Sequence, residues 1–440
     1  MKHPTSPRTP SPSSARRAPL PSLALLLGAA LFACTGETED EGGDDVGDDE
    51  VSLGSTPLAN CEAAMFTYEQ IVAELALPNP DPEYIIDLYR GDAPDFSDES
   101  PVLGGTALQR WVREVDARLG RVETGLLVDD AAIEAALDLA VASEDSLERR
   151  MALLEIIGTM RLVASLDTRE RLASLSEVLP DPDRDPAVLR ADWDQAYCVW
   201  TGVLGPLSTQ ATADEGAVEP TGVDWDAQIL EAFEDGYAGL EGPEEAWAPD
   251  DWVTKAAKQK VEKSTFAVID RRIVALAQDA LDGGDEAAAH EALGLFDILE
   301  DRINERNTPA VEGIREMLAG DTAAIDPAWI EEQMAIAFVK RARKYCDEAL
   351  DEGSIGTPDG YKGAWEGTIY SQVVLPLMIE YVDGFDAETY LQAWADYRAA
   401  MIADDSEAAL EISPQLIEAN CALQDALGIA ECTADQDESA

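Results

Sequence analysis

The chain is poor in histidine: among its 440 residues only His3 and His290 occur. His3 falls in the N-terminal leader described below, which leaves His290 for the mature protein. A serine–histidine–aspartate triad needs a histidine beside its nucleophile, and most catalytic zinc sites use two or three histidines. His290 lies in the alanine-rich stretch EAAAHEALGLF, where an exposed or partly buried helix residue is expected. The shortage argues against serine hydrolases, zinc hydrolases and haem proteins.

Basic residues are scarce as well. The sequence has 31 Lys and Arg against 89 Asp and Glu, a formal net charge of −58. Such a charge opposes binding to nucleic acid and to anionic membrane surfaces, whose phosphates require cations. We therefore expect no nucleic-acid partner. The acidic surface either serves solubility or raises the local concentration of cations.

No CxxC pair occurs, so the sequence signals neither a redox motif nor a zinc knuckle. Five cysteines follow Cys34, and export to an oxidising compartment would favour disulfides among them. Cys421 and Cys432 are the natural local pair, because Gly428 lets the chain turn back after the last helix. The pairing of the other three, Cys61, Cys198 and Cys346, stays open, and one thiol is left over.

Long apolar runs are missing except for Leu23–Cys34, LALLLGAALFAC. Four basic residues precede it: Lys2, Arg8, Arg16 and Arg17. This pattern predicts a secretory signal, too short to span a bilayer permanently. Its last four residues resemble a bacterial lipobox, so Cys34 is the expected lipidation site; the alternative is an ordinary signal peptide with a chance cysteine. Since Thr35 rather than aspartate follows, we expect an outer-membrane lipoprotein, periplasmic or surface-exposed, held to the membrane by its lipid anchor alone.

The following residues, 34–60, combine nine acids with five glycines and have almost no large apolar side chain. Such a segment cannot bury enough surface to offset the entropy of ordering, which predicts a flexible, self-repelling tether. The predicted organisation is thus a signal peptide (1–33), a tether (34–60) and two helical halves (61–240 and 241–440). Loop-like compositions at Gly205–Thr221 and Gly239–Asp251 separate the halves.

Strand-like alternation is almost absent after Cys61, and helix-start signals recur. Six capping side chains each precede a proline: Asp81-Pro82, Asp185-Pro186, Thr308-Pro309, Asp326-Pro327, Thr357-Pro358 and Ser413-Pro414. The side-chain oxygen accepts from an orphan amide, and proline suits the first helical position. Asp167 and Glu170 have capping-box spacing and indicate a further start. We predict an all-α multi-helix bundle with a central, largely buried helix at Leu147–Leu166 and one long helix at Val253–Leu281. The bundle is built either as two duplicated halves or with only chance similarity between them.

With histidine nearly absent, the available metal ligands are carboxylates and tyrosines, which suit hard cations such as Ca²⁺, Mg²⁺ or Fe³⁺. Three pairs have useful spacing. They are Asp87 with Tyr89, Glu148 with Glu155, and Glu366 with Tyr370. Each pair could equally be part of a solvated or structural surface, and a metal site would have to gather ligands from several helices.

Two basic clusters interrupt the acidity, one between Lys255 and Arg272 and one between Lys340 and Lys344. Either they form salt bridges with the acidic helices, or they hold a small anion such as carbonate beside a bound metal. Carboxylate and phenolate are both hard anions, so Fe³⁺ is the metal that such a set would favour.

Three segments resemble the iron-assimilating protein family of green algae: LYRGDAPDFSDESPVLGGTALQRWVREVDARLG, LLEIIGTMRLVASLDTRERL and AWEGTIYSQVVLPLMIEYVDGFDAETYLQAW. These are exported, repeat-containing helical proteins with bacterial relatives, and Tyr89 and Cys421 fall on positions matched to the family pattern. The resemblance implies a helical fold and iron assimilation. Imelysin-type iron-regulated lipoproteins are a second comparison, but their Gly-x-His-x-x-Glu motif is missing; Gly363–Glu366 is the nearest string.

Two classes of function remain open. One is an exported lipoprotein that binds ferric iron or another hard cation for uptake, through a receptor that the sequence does not identify. The other is a non-catalytic structural or interaction module of the cell envelope. No nucleophile–base pair or cofactor loop is visible, so we do not expect an enzyme.

Overall fold

Helices make up almost all of the computed structural model, which describes residues 57–91, 106–123, 126–179, 185–215, 223–241 and 250–434. The α-helices are α1 (Pro57–Leu75), α2 (Pro82–Arg90), α3 (Ala107–Arg118), α4 (Val128–Ala142), α5 (Ser146–Val178), α6 (Pro186–Val199), α7 (Gly205–Glu215), α8 (Trp225–Glu241), α9 (Asp251–Gly283), α10 (Glu286–Asn304), α11 (Thr308–Leu318), α12 (Pro327–Tyr345), α13 (Glu348–Asp351), α14 (Pro358–Tyr381), α15 (Ala387–Ala403) and α16 (Ser406–Ala426). A π-turn at Trp200–Leu204 joins α6 to α7, and β1 (Val122–Glu123) pairs antiparallel with β2 (Leu126–Leu127). The all-α prediction is confirmed.

Aspartate and threonine caps start many of these helices. Asp81, Asp185, Asp326 and Thr357 each accept a hydrogen bond from a backbone N–H in the first turn, with proline next along the chain. These four starts are as the sequence predicted. The physical cause is that the cap satisfies an amide that has no partner in the helix, while proline has no amide to satisfy.

Two predicted starts are wrong, and at a third the capping residue differs. Helix α11 begins at Thr308, as predicted, but Asn307 rather than Thr308 occupies the capping position. Ser413 and Pro414 lie within α16, where Ser413 is buried and the helix continues past the proline. Asp167 and Glu170 lie in the middle of α5. At these last two sites the helix continues past a local signal that also occurs at helix ends, because packing stabilises it.

The predicted central helix and the predicted long helix are both parts of longer helices. Leu147–Leu166 falls within α5, and Val253–Leu281 falls within α9. The second of these is the centre of the fold, because α9 packs against α5, α7, α8, α10, α12 and α14. Buried apolar residues from Cys61 to Leu423 form one continuous core around it.

The predicted separating loops are partly helical. The span Gly205–Thr221 contains all of α7, and α8 extends to Glu241 within the other span. Leu207, Ser208 and Ala211 of α7 are buried, and α7 packs against α8 and α9, so tertiary packing stabilises this helix. Helices on both sides of residue 240 contact each other, as α5 does with α9 and α10. The boundary between two halves stays a prediction.

Two disulfides join parts of the fold. Cys61 in α1 is bonded to Cys198 in α6, with their Cα atoms 6.4 Å apart. Cys421 and Cys432, the pair that the sequence favoured, are also bonded. Cys346 is a buried free thiol. Of the three cysteines whose pairing the sequence left open, two therefore form a disulfide and the third, Cys346, is a thiol.

The predicted signal peptide, the lipidation site Cys34 and most of the tether lie outside the described residues. The last residues of the predicted tether, 57–60, belong to α1. None of the helices described here is long and apolar enough to cross a membrane.

Candidate ligand-binding cleft

The first predicted metal-ligand pair lies on α2. Tyr89 is fully buried, and its hydroxyl donates to Asp130 Oδ1 at 2.9 Å. The same carboxylate accepts from Gln109 at 3.2 Å and from Arg113 at 2.8 Å. Burial, followed by the charge of Asp130, raises the pKa of Tyr89 well above its ordinary value. Tyr89 is therefore a structural donor that ties α2 to α4, and its neighbour Asp87 is exposed.

The second pair lies on α5, and its members contact different neighbours. Glu148 accepts from the Ser143 hydroxyl at 2.6 Å. Glu155 lies 3.2 Å from His290 Nε2 of α10. A hydrogen bond from His290 lowers the pKa of Glu155. The seven-residue spacing thus puts two carboxylates on one helix without bringing them to a common partner.

The third pair is buried on α14 and meets a tyrosine that the spacing arguments missed. Glu366 accepts from the Tyr345 hydroxyl at 2.5 Å. The rings of Tyr345 and Tyr370 are stacked with their centroids 6.2 Å apart. The Tyr370 hydroxyl is buried and has no hydrogen-bond partner among the residues described. We call Tyr345, Glu366 and Tyr370 the tyrosine–glutamate group.

The carboxylate of this group faces a cleft between α5, α9, α10 and α14. The cleft has a volume of about 450 Å³. Its polar lining consists of Arg169, Glu170, Lys258, Gln259, Glu262, Lys263, Arg302, Lys362 and Glu366. Five of these side chains are basic and three are acidic, an excess of positive charge in a strongly acidic chain. We call it the cationic cleft.

Glu262 is the electrostatic centre of the cationic cleft. Its carboxylate lies 2.8 Å from Lys258 Nζ and 2.9 Å from Lys263 Nζ. Arg169 Nε is a further 3.6 Å contact. Burial alone would raise the pKa of Glu262, but the charges of Lys263 and Lys258 hold it well below its ordinary value. Lys263 also lies 3.9 Å from Glu366, which links the cleft to the tyrosine–glutamate group.

An aromatic ring lies beneath several of these cations. Phe266 is fully buried, and its ring centroid lies 5.3 Å from the Arg169 guanidinium carbon. Lys263 Nζ lies 5.4 Å from the centroid and the Arg302 guanidinium carbon 5.8 Å. The negative face of an aromatic ring attracts cations, so Phe266 helps to hold three like charges close together.

The basic clusters that the sequence singled out are mostly engaged in ion pairs. Lys255 contacts Asp359 at 2.9 Å, and Lys260 contacts Asp235 at 2.8 Å. Further along, Arg341 pairs with Glu305 and Arg343 with Asp347. Lys258 and Lys263 differ from these, because they face the cationic cleft. The sequence could point to these lysines by their charge, but not to Arg169, Arg302 and Lys362, which other helices supply.

No group of three or more His, Cys, Asp or Glu side chains in the described part of the chain is arranged to hold a metal ion. Comparison of the chain with protein-family models, with curated proteins and with solved structures gives no match. The resemblance to the algal iron-assimilating family therefore stays a prediction.

Proposed function

We propose that the protein is a non-catalytic, lipid-anchored binding protein of the cell envelope that binds ferric iron, or another hard cation, for uptake. The observation that carries this proposal is the tyrosine–glutamate group beside the cationic cleft. Two phenol oxygens and a carboxylate are hard donors of the kind that Fe³⁺ favours. The cations of the cleft would hold a small anion such as carbonate next to the metal.

The buried Tyr370 hydroxyl supports this proposal. Buried polar atoms nearly always have a partner, and this one has none among the described residues. Such an oxygen is suited to a ligand that Glu366, one turn earlier on α14 and part of the cleft lining, would also bind. Arg341 lies 5.7 Å from the Tyr370 ring centroid and Lys263 lies 6.0 Å from it, so two cations lie beside this ring.

Iron binding at this group would release protons. Burial, followed by the charge of Glu366, raises the pKa of Tyr345 well above its ordinary value. A phenol must lose its proton to become a metal ligand, so affinity should increase with pH. The sequence supplies the location: an apolar leader ending in Cys34 favours export and lipidation.

The test is a titration of the purified mature chain with Fe³⁺ in the presence of bicarbonate, followed by visible spectroscopy. We expect a tyrosinate-to-iron band that Tyr345→Phe and Tyr370→Phe each weaken. Tyr89→Phe is the matched control, since it also removes a buried hydroxyl but one that bonds to Asp130. A featureless spectrum, with binding no tighter than to a synthetic peptide of residues 35–60, would overturn the proposal.

Location has its own test. Cys34→Ser should abolish labelling of the protein by a palmitate analogue in cells, and the wild-type protein should fractionate with the outer membrane. Equal labelling of the variant would remove the lipid anchor from the proposal without affecting the proposed binding site.

The second candidate is a structural or interaction module of the envelope. It is favoured by the partners that the predicted ligands already have: Asp130 for Tyr89, Ser143 for Glu148 and His290 for Glu155. Satisfied polar networks of this kind hold helices together without any ligand. The featureless spectrum described above is the outcome that selects this candidate.

A further inference from the structure

The charge balance of the cationic cleft calls for an anion. Net charge of the whole chain is −58, yet basic side chains outnumber acidic ones around this opening. Outside the cleft, acidic side chains are in excess, and a lysine such as Lys344 has its own acidic partner, Glu348 at 2.8 Å. A cleft that concentrates one sign of charge between low-dielectric walls attracts ligands of the opposite sign.

Some of the cations in the cleft have capacity for a further partner. Lys258 and Lys263 share the single carboxylate of Glu262 at close range. Lys362 is partly buried and has no hydrogen-bond or ion-pair partner among the described residues. Arg302 contacts Asp301 and Glu305, but its Nε has no partner in the described part of the chain.

Gln259 adds a neutral polar group to the lining. It is 2 % exposed, and its Oε1 has no hydrogen-bond partner within the described ranges. A buried acceptor without a donor is costly, so a ligand hydroxyl that donated here would contribute favourably. The cleft therefore offers cations for carboxylates together with an acceptor for a hydroxyl.

The size of the cleft favours a small organic anion over a single ion as its ligand. A volume of about 450 Å³ lies in the range of small-molecule pockets, which hold many atoms rather than one. A ligand with two or three negative charges has one for several of the cations that α9, α10 and α14 supply to the lining.

We propose that the cationic cleft binds a small hydroxylated organic anion with two or more carboxylate groups. Lysines 258, 263 and 362 and the two arginines, Arg169 and Arg302, would contact the carboxylates, and Gln259 would accept from the hydroxyl. This site goes beyond the proposed iron binding, because it requires no metal.

The experiment is isothermal titration calorimetry on the full mature chain in buffer freed of metal ions, with citrate as the probe. Succinate and inorganic phosphate are the comparison ligands. Citrate should bind, succinate should bind more weakly because it has no hydroxyl and one carboxylate fewer, and phosphate should be weakest. Absence of citrate binding at millimolar concentration overturns the proposal, and so does tighter binding of phosphate than of citrate.

Two lysine variants locate the site. Lys362→Gln removes one cation from the cleft and should weaken citrate about tenfold, the value of one charge-assisted hydrogen bond. Lys344→Gln is the matched control, since Lys344 is half-buried and lies outside the cleft, and it should bind like the wild type. Equal weakening by both variants would mean that the effect is net charge rather than a site. Because iron is absent throughout, this result is independent of the visible-band test.

Discussion

Asp167 is the residue whose replacement tests the internal packing of the bundle most directly. It lies in the middle of α5 with no exposed surface. Its carboxylate accepts from Trp111 Nε1 at 2.8 Å and from Arg171 Nε at 2.7 Å, and it is ion-paired with Arg118. Without this carboxylate the Trp111 N–H loses its acceptor, whereas Arg118 keeps Glu170 and Arg171 keeps Asp192. A buried donor left without an acceptor costs about 1–3 kcal/mol. We expect that loss in the free energy of unfolding for Asp167→Ala.

The matched control is Asp301→Ala. Asp301 also lies on a helix and also contacts two arginines, Arg169 at 3.1 Å and Arg302 at 3.3 Å, but its side chain is 50 % exposed. Exposed ion pairs contribute about 1 kcal/mol or less, so this variant should unfold almost like the wild type. Asp167→Asn, which keeps an acceptor oxygen for Trp111, should fall between the two.

The assay is urea unfolding at neutral pH without reductant, followed by circular dichroism. An Asp167→Ala variant as stable as Asp301→Ala would refute the reasoning, because burial would then add nothing to the network. A variant that does not fold would agree with it, provided that Asp167→Asn folds with reduced stability.

Two further predictions concern the disulfides and pH. Replacing Cys61 and Cys198 by alanine should lower the free energy of unfolding by about 5 kcal/mol, and replacing Cys421 and Cys432 should lower it by about 3 kcal/mol. The first loss is larger because the first disulfide closes a loop of 137 residues and the second a loop of 11. Equal losses in urea unfolding would contradict the loop-length argument. Burial, followed by its neighbour Asp129, raises the pKa of Asp116 to about 7 from 3.8. The stability that the Asp116 proton contributes is complete below about pH 4 and is lost as the pH rises through 7. Asp116→Asn should therefore lose less stability than the wild type between pH 5 and 8. Parallel profiles of stability against pH for the two proteins would count against this.

Local sequence predicted the helix starts well where a short pattern, such as aspartate followed by proline, is compatible with only one position in a helix. Asp81, Asp185 and Asp326 precede prolines and cap helices, because an extended capping residue followed by proline cannot lie inside a regular helix without loss. The pair Cys421 and Cys432 could be proposed for a similar reason, since the chain between them is short and contains Gly428 with φ +83°.

Prediction failed where the deciding partner is distant in sequence. Asp167 has the spacing of a capping box, but its actual partners are Trp111 and Arg118, 56 and 49 residues earlier. Nothing local distinguishes a cap from a buried ion pair. The cationic cleft was missed for the same reason: α9 supplies lysines that stand out by charge, whereas Lys362 reaches the cleft from α14 through tertiary packing alone.

The ferric ion and the small anion that we propose to bind beside it should affect each other's binding, and this gives the last prediction. A bare ferric ion approaching Glu366 would be repelled by Lys263, which lies 3.9 Å from that carboxylate, and by the other cations of the cleft. An anion bound in the cleft would offset that repulsion, so the affinity for Fe³⁺ should increase with bicarbonate concentration, and the affinity for bicarbonate should increase with Fe³⁺ by the same factor. Lys362→Gln should reduce this coupling. Arg90→Gln removes one positive charge on α2, outside the cleft, and should leave the coupling unchanged. The measurement is the tyrosinate-to-iron band titrated at several bicarbonate concentrations. An iron affinity that does not change with bicarbonate would show that the cleft and the tyrosine–glutamate group act independently, and the proposal of a metal held with an anion would fail.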